Sequence, residues 1–281
     1  MSDLNVKLAE DLHRAIEMGI DVVPVVTNLK QATLSGLLEY ACIYWSNSRA
    51  IPELPSPVMT SRLGTGLIGI ESELGFRPSS RMKRSATRID PLPIEFVTVR
   101  TEDDFENREW ECFEIRFCRS AESVGFSRTI ALGLQGALRE MAENAVIHSE
   151  SPLPAIIAYR AVQGMAQFCV VDVGIGVLAS LRKCADFHDI ERHNEAIRMA
   201  LRDGVSRFGR NTRGLGFHAV FKALLANWGY LRFRSGEGCI TMDGSGLDAD
   251  HGEATFPPYL PGFQVTVCCR VAGMATGTPT A

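Results

Sequence analysis

Glu140, Asn144 and His148 lie at i, i+4 and i+8, a spacing that lines three polar side chains along one side of a helix. Leu134, Leu138, Met141, Ala142, Ala145 and Val146 form a separate apolar face on the same segment. An amide oxygen one turn from a carboxylate is a useful pair. The amide can ligate Mg²⁺ that also holds phosphate oxygens, because magnesium prefers oxygen ligands. The carboxylate can orient and deprotonate an attacking water. The same residues taken alone also describe a solvated helix face. Glu143, one residue off the line, reads as structural or as a supporting neighbour of the site residues.

Two further motifs follow in order. Asp172 closes the apolar run Phe168-Cys-Val-Val and precedes Gly174 and Gly176. A carboxylate ending a strand beside backbone free of Cβ atoms can accept the exocyclic amine of a base lying against that backbone. A plain strand-ending turn has the same composition. Gly174-Ile-Gly176-Val-Leu-Ala179 also satisfies the dinucleotide fingerprint, which needs a second apolar strand ending in an acidic residue about 20 residues later. Residues 186–200 are instead polar and then helical, which disfavours that reading. Gly214-Leu215-Gly216 opens a helical pattern from Phe217, and the backbone N–H groups of such a turn can cradle phosphate. Arg207, Arg210 and Arg213 stand just upstream and add positive charge. The segment between Gly176 and Gly214 has the character of a lid.

Glu-x-x-x-Asn, Asp-x-Gly-x-Gly and Gly-x-Gly in this order resemble the three nucleotide-site boxes of the GHKL ATPases. That superfamily includes gyrase, the ninety-kilodalton heat-shock chaperone, sensor histidine kinases and MutL. Glu140-Met-Ala-Glu-Asn144-Ala-Val-Ile-His148 is most similar to the histidine-kinase and anti-sigma form. The resemblance spans roughly residues 110–270 and implies an α/β fold of the Bergerat type, a two-layer sandwich with a mixed sheet covered by helices on one face. It implies ATP and Mg²⁺ as ligands, with Glu140 as the water-activating base and Asn144 as the metal ligand. Asp172 becomes the adenine anchor, Gly174 and Gly176 the loop beside it, and Gly214 and Gly216 the phosphate contacts. The nucleotide-contacting set is completed by His148, Arg213, Leu215 and Thr266. The family carries a threonine in a late strand that supports the adenine aspartate. Here Phe263 stands at that place after Gly262, and Thr266 is the substitute hydroxyl.

These motifs need elements to hold them. Residues 4–18 and 28–45 have helical periodicity, whereas Pro52, Pro55 and Pro57 end any helix. Residues 61–93, rich in Gly, Ser, Arg and Pro, read as linker. Strands are expected at 94–99, 112–118, 154–162, 165–172, 230–235, 239–243 and 263–270, with helices at 126–148, 177–184, 194–202 and 216–227. Gln163-Gly164 and Gly236-Glu-Gly238 are hairpin signals. The chain divides on this reading into a mostly helical region 1–95, of no assigned role, and an ATP-binding domain 96–281.

Composition narrows the setting. A net charge of −4 over 281 residues argues against a nucleic-acid partner, and the basic run from Arg77 to Arg88 reads as a solvated loop. Eight cysteines without metal spacing or a paired framework suit a reducing cytoplasm. The N-terminus lacks a signal-peptide pattern, and no apolar run approaches the roughly 20 residues that span a bilayer. The expectation is a cytoplasmic, Mg-dependent, ATP-binding protein that hydrolyses ATP slowly and acts as a signalling switch on a protein partner or as a homodimer. Two alternatives share the fold: a protein serine kinase resembling the anti-sigma branch, and a non-hydrolysing nucleotide-gated adaptor. A phosphoacceptor box ahead of the domain is absent, which argues against autophosphorylation.

Overall fold

The computed structural model describes residues 5–22, 32–47, 56, 94–202, 229–243 and 252–271. Helix α1 (Val6–Glu17) starts where the Asn5 side chain accepts the Leu8 N–H, an N-cap that satisfies one of the orphan donors of the first turn. Helix α2 (Leu34–Asn47) follows. Strand β1 (Ile94–Val99) leads through a short 3₁₀ turn to α3 (Arg108–Ser123) and α4 (Arg128–Ile147). Strands β2 (Ala155–Val162) and β3 (Met165–Asp172) form a hairpin through Gln163 and Gly164, both at positive φ. Then come α5 (Gly176–Leu181), α6 (His193–Leu201), β4 (Tyr230–Gly236), β5 (Gly238–Asp243), β6 (Glu253–Thr255) and β7 (Leu260–Arg270).

The seven strands make one sheet in the order β1-β2-β3-β7-β4-β5-β6. Every pairing among the described residues is antiparallel, so the sheet is not the mixed one expected. A second correction concerns 112–118, which is helix and not strand. Its buried residues Trp110, Phe113, Phe117 and Ala121 fall at helical spacing, and Asn107 caps the segment by accepting the Trp110 N–H. Of the alternating apolar residues that suggest a strand there, Phe113 and Phe117 lie on the buried helix face, whereas Ile115 is exposed.

Helices cover both faces of the sheet, whereas a single covered face was expected. On the front, α3 and α4 pack Phe113, Phe117, Leu134, Leu138 and Met141 onto Tyr159, Phe168, Val170 and Val265. The rings of Phe117 and Tyr159 lie 4.9 Å apart. On the back, α1 and α2 place Leu12, Leu34, Leu37, Leu38 and Ala41 against Ile156, Ala158, Cys169 and Val171. Period-two alternation in β2, β3 and β7 supplies apolar side chains to both layers, which is why these strands read as nearly continuous apolar runs. All eight cysteines are free, and no helix among the described residues is long and apolar enough to cross a membrane.

Candidate functional site

The front face ends in a row that crosses three strands. Asp172 on β3 pairs with Phe263 on β7, which pairs with Ser235 on β4. In antiparallel register, paired residues point to the same side, so all three face the layer that contains α4. Asp172 is only 3% exposed. Its Oδ1 accepts the Gly174 N–H at 2.7 Å, while Oδ2 is buried without a hydrogen-bond partner among the described residues. Burial raises its pKa to about 7, opposed by the backbone N–H groups of Gly174 and Phe263. A buried acceptor left open in this way carries a desolvation cost that a ligand donor can remove.

The loop after Asp172 is wedged between two anchors. A Cβ on Gly174 would overlap the Ser149 carbonyl, which also accepts the Ile175 N–H at 2.8 Å. The loop is thereby fastened to the end of α4, one residue past His148. Gly176 has φ +75°, and a Cβ there would sit 2.8 Å from the Ser235 hydroxyl. Both glycines are therefore dictated by close backbone approach, and Gly176 by its conformation as well.

The α4 line forms as its spacing predicts. Glu140, Asn144 and His148 are half-buried along one side, while Leu134, Leu138, Met141, Ala142 and Ala145 are buried on another. His148 is the C-cap residue, and its backbone N–H donates to the Asn144 carbonyl at 3.1 Å. Glu140 has no hydrogen bond or ion pair among the described residues, and its pKa rises to about 7, first through burial and then through the charge of Glu143. Glu143 is paired with Arg139 at 2.9 Å, and Arg139 also reaches Glu114 at 3.2 Å. That fits the structural part read for Glu143. The Asn144 amide is uncommitted among the described residues, as a metal-ligating amide oxygen requires. One protein oxygen with phosphate and water oxygens suits Mg²⁺, which keeps several waters. A ready cage of three or more His, Cys, Asp or Glu is not found among the described residues.

Thr266 does not belong to this site. It sits on the back face, where its Oγ1 is 2.6 Å from the Ser35 Oγ and 3.3 Å from the Cys169 Sγ. The reason is parity. Phe263, Val265 and Val267 face the front, so Gln264, Thr266 and Cys268 face the other way. The position across from Asp172 belongs to Phe263, whose ring packs edge-on against Phe233 at 5.5 Å. Arg213, Gly214, Leu215 and Gly216, with residues 203–212 of the lid segment and the helix expected at 216–227, lie outside the described residues, whereas residues 177–202 of that segment carry α5 and α6. A cavity of about 380 Å³ beside Ile175, Arg182, Lys183 and His193 includes none of Glu140, Asn144 and Asp172.

Three contributors carry no motif: Ser149, Ser235 and Gly262. Gly262 has φ +75°, and a Cβ there would overlap the Asp172 carbonyl and approach Oδ1 to 2.6 Å. Strand parity counted back from Phe233 puts Ser235 on the front, which is the one signal for it in the sequence. Comparison with known protein families, curated proteins and solved structures finds no significant match.

Proposed function

We propose that this protein binds Mg·ATP on the front face of its sheet and hydrolyses it slowly, as a nucleotide-controlled switch. The observation that carries the reading is Asp172. It is a buried carboxylate at the end of a central strand, with one oxygen held by Gly174 and the other open to a donor. An adenine-type base offers an amine of that kind. The fastening of the Asp172 loop to Ser149 ties it to the C-terminal end of α4, the helix that carries the polar line, and Asn144 is the residue to hold the metal. When bound, Mg²⁺ supplies charge neutralisation on the phosphate oxygens. Glu140, held near pKa 7 and uncommitted, takes the proton of the attacking water, since a base poised near ambient pH is the most effective.

The test is calorimetry with Mg·ATP together with phosphate release. Wild-type protein binds and turns over slowly. Asp172→Asn and Asn144→Ala lose binding, whereas Glu140→Ala keeps binding and loses turnover. Absence of affinity in the wild type overturns the proposal. An amine hydrogen bond favours the ionised carboxylate, so affinity rises as pH goes from 6 to 8 through the folded pKa of Asp172.

One observation favours the non-hydrolysing adaptor. Phe263 puts a ring, not a hydroxyl, across from Asp172, and that removes a polar support from the base site. Equal turnover by wild type and Glu140→Ala, with binding intact, selects the adaptor. Transfer of labelled phosphate to a protein in place of free phosphate selects the serine-kinase reading.

A further inference from the structure

From the geometry around Asp172 we infer that Ser235 is a positioning residue for base recognition: its hydroxyl latches the Gly176 loop to the Gly262 turn, and this fixes which oxygen of Asp172 meets the base. The inference rests on the nucleotide reading above and adds to it a residue that none of the three motifs contains.

The latch is continuous in hydrogen bonds and contacts. Ser235 is 2% exposed, so its hydroxyl has no access to bulk water and must be satisfied internally. It accepts the Val177 N–H at 2.9 Å and donates to the Gly262 carbonyl at 2.8 Å. The first bond holds the start of α5, and with it Gly176, against β4. The second holds the turn before β7. The register between β4 and β7 shifts at Ser235/Gly236, where Gly236 pairs with Leu260 and leaves Pro261 and Gly262 as surplus residues of a bulge. That bulge presses Gly262 onto the Asp172 backbone and Oδ1. Oδ1 is thus confined between the Gly174 N–H and the Gly262 Cα, and Oδ2 is the oxygen left to accept.

Without the hydroxyl, Gly262 loses its tie to β4, and the Val177 N–H and the Gly262 carbonyl are both left without their partner. Asp172 then keeps its burial but not its orientation. The consequence is specific. The site still admits the sugar and phosphates, but the contribution of the base amine falls.

The measurement compares two probes with Mg²⁺: ATP, and purine riboside triphosphate, which has the same ring without the amine. Wild-type protein is expected to prefer ATP by about tenfold or more, the worth of one charge-assisted hydrogen bond. Ser235→Ala should reduce that preference to about threefold or less while changing affinity for the amine-free probe little. A purely structural role weakens both probes equally and leaves their ratio unchanged, and that result overturns the inference. Val177→Pro removes the N–H that Ser235 accepts, in the first turn of a helix where proline is tolerated. It is expected to lower the ratio as well, and it decides the matter if Ser235→Ala does not fold. Retention of the full preference in either folded variant overturns the latch. Failure of the wild-type protein to bind either probe overturns the nucleotide reading itself, and the role of Ser235 with it.

Discussion

The two faces of the sheet are built from alternate residues of the same strands, yet they treat polar groups in opposite ways. On the back, Glu39 is wholly buried and pairs with Arg232 at 2.6 Å and with Arg234, while Glu10 also reaches Arg232. Gln264 donates to the Ser35 carbonyl at 3.1 Å, and Thr266 bonds Ser35. On the front, one strand position away, Asp172 keeps a buried oxygen open and Glu140 stands uncommitted among the described residues. On the back, matched charges and hydroxyls tie α1 and α2 to the sheet, whereas on the front the open oxygen of Asp172 is free to take a donor. Open groups are not confined to the front, since Gln264 Oε1 and Arg234 Nε on the back are also buried without a hydrogen-bond partner among the described residues. What sets Asp172 and Glu140 apart is that they are carboxylates at the strand end and along the α4 line.

The largest expected effect comes from breaking the satisfied face. Glu39→Ala leaves two arginines buried beneath α2 with one carboxylate fewer, and removing one member of a buried ion network costs about 3–5 kcal/mol. Urea denaturation should show a midpoint lowered accordingly. A loss no greater than that of an exposed pair would mean that the back face is not locked by charge.

The open face should respond in the opposite sense. Asp172 has a pKa of about 7 when folded, against 3.8 for a solvated aspartate. Below pH 4 both states are protonated and the group contributes nothing. As pH rises from about 4 to about 7 the unfolded chain ionises first, so the folded state loses stability across that window and the loss is complete above pH 7. Glu140, raised in the same direction, adds to the trend. Asp172→Asn removes the larger part of this decline and should be more stable than wild type at pH 8 by about 2–3 kcal/mol, read from thermal or urea unfolding at pH 5 and pH 8. Wild-type stability that is flat over this range would show the carboxyl to be solvated after all.

Much of this arrangement is legible in the sequence. The helix line at Glu140, Asn144 and His148 follows from a 3.6-residue period, and Asp172 with its glycines follows from a strand that ends in turn residues. The hairpins at Gln163-Gly164 and Gly236-Gly238 are likewise written in local turn chemistry. The strand expected at 112–118 fails because Phe113 and Phe117 fit a helix face as well as a strand face, and the alternating Ile115, which breaks the tie, turns out exposed. The covering of both faces was not legible either. Nothing local in α2 says which surface its nearly uniform burial will meet, and the Glu39 partners lie more than 190 residues away. For Ser235 the sequence shows only the face, by strand parity; its bonds depend on a bulge in a neighbouring strand.

Thr266 is the residue where parity decides between the faces, and it makes the next test. Thr266→Val removes the hydroxyl between Ser35 and Cys169, leaving the Ser35 Oγ buried without that partner, at a cost of about 1–2 kcal/mol. Nucleotide affinity should not change, because the side chain lies beneath the sheet from Asp172. A fall in affinity without a fall in stability would put Thr266 back in the site.

The smallest effect sharpens the front face alone. Glu143 is the second cause, after burial, of the raised pKa of Glu140, and it is itself held by Arg139. Glu143→Gln removes a negative charge near Glu140 and frees the positive charge of Arg139 from its pair, and both changes favour ionised Glu140. The stability cost is small, about 0.5 kcal/mol for a partly exposed i,i+4 pair. The functional change is a direction: the acid limb of the turnover profile moves to lower pH, by less than about one unit because burial remains the dominant cause. If that limb belongs to Asp172 instead, it stays where it was in Glu143→Gln and moves only when the base site is altered. The shift therefore assigns the limb to one carboxylate or the other, which the wild-type profile cannot do while both titrate near pH 7.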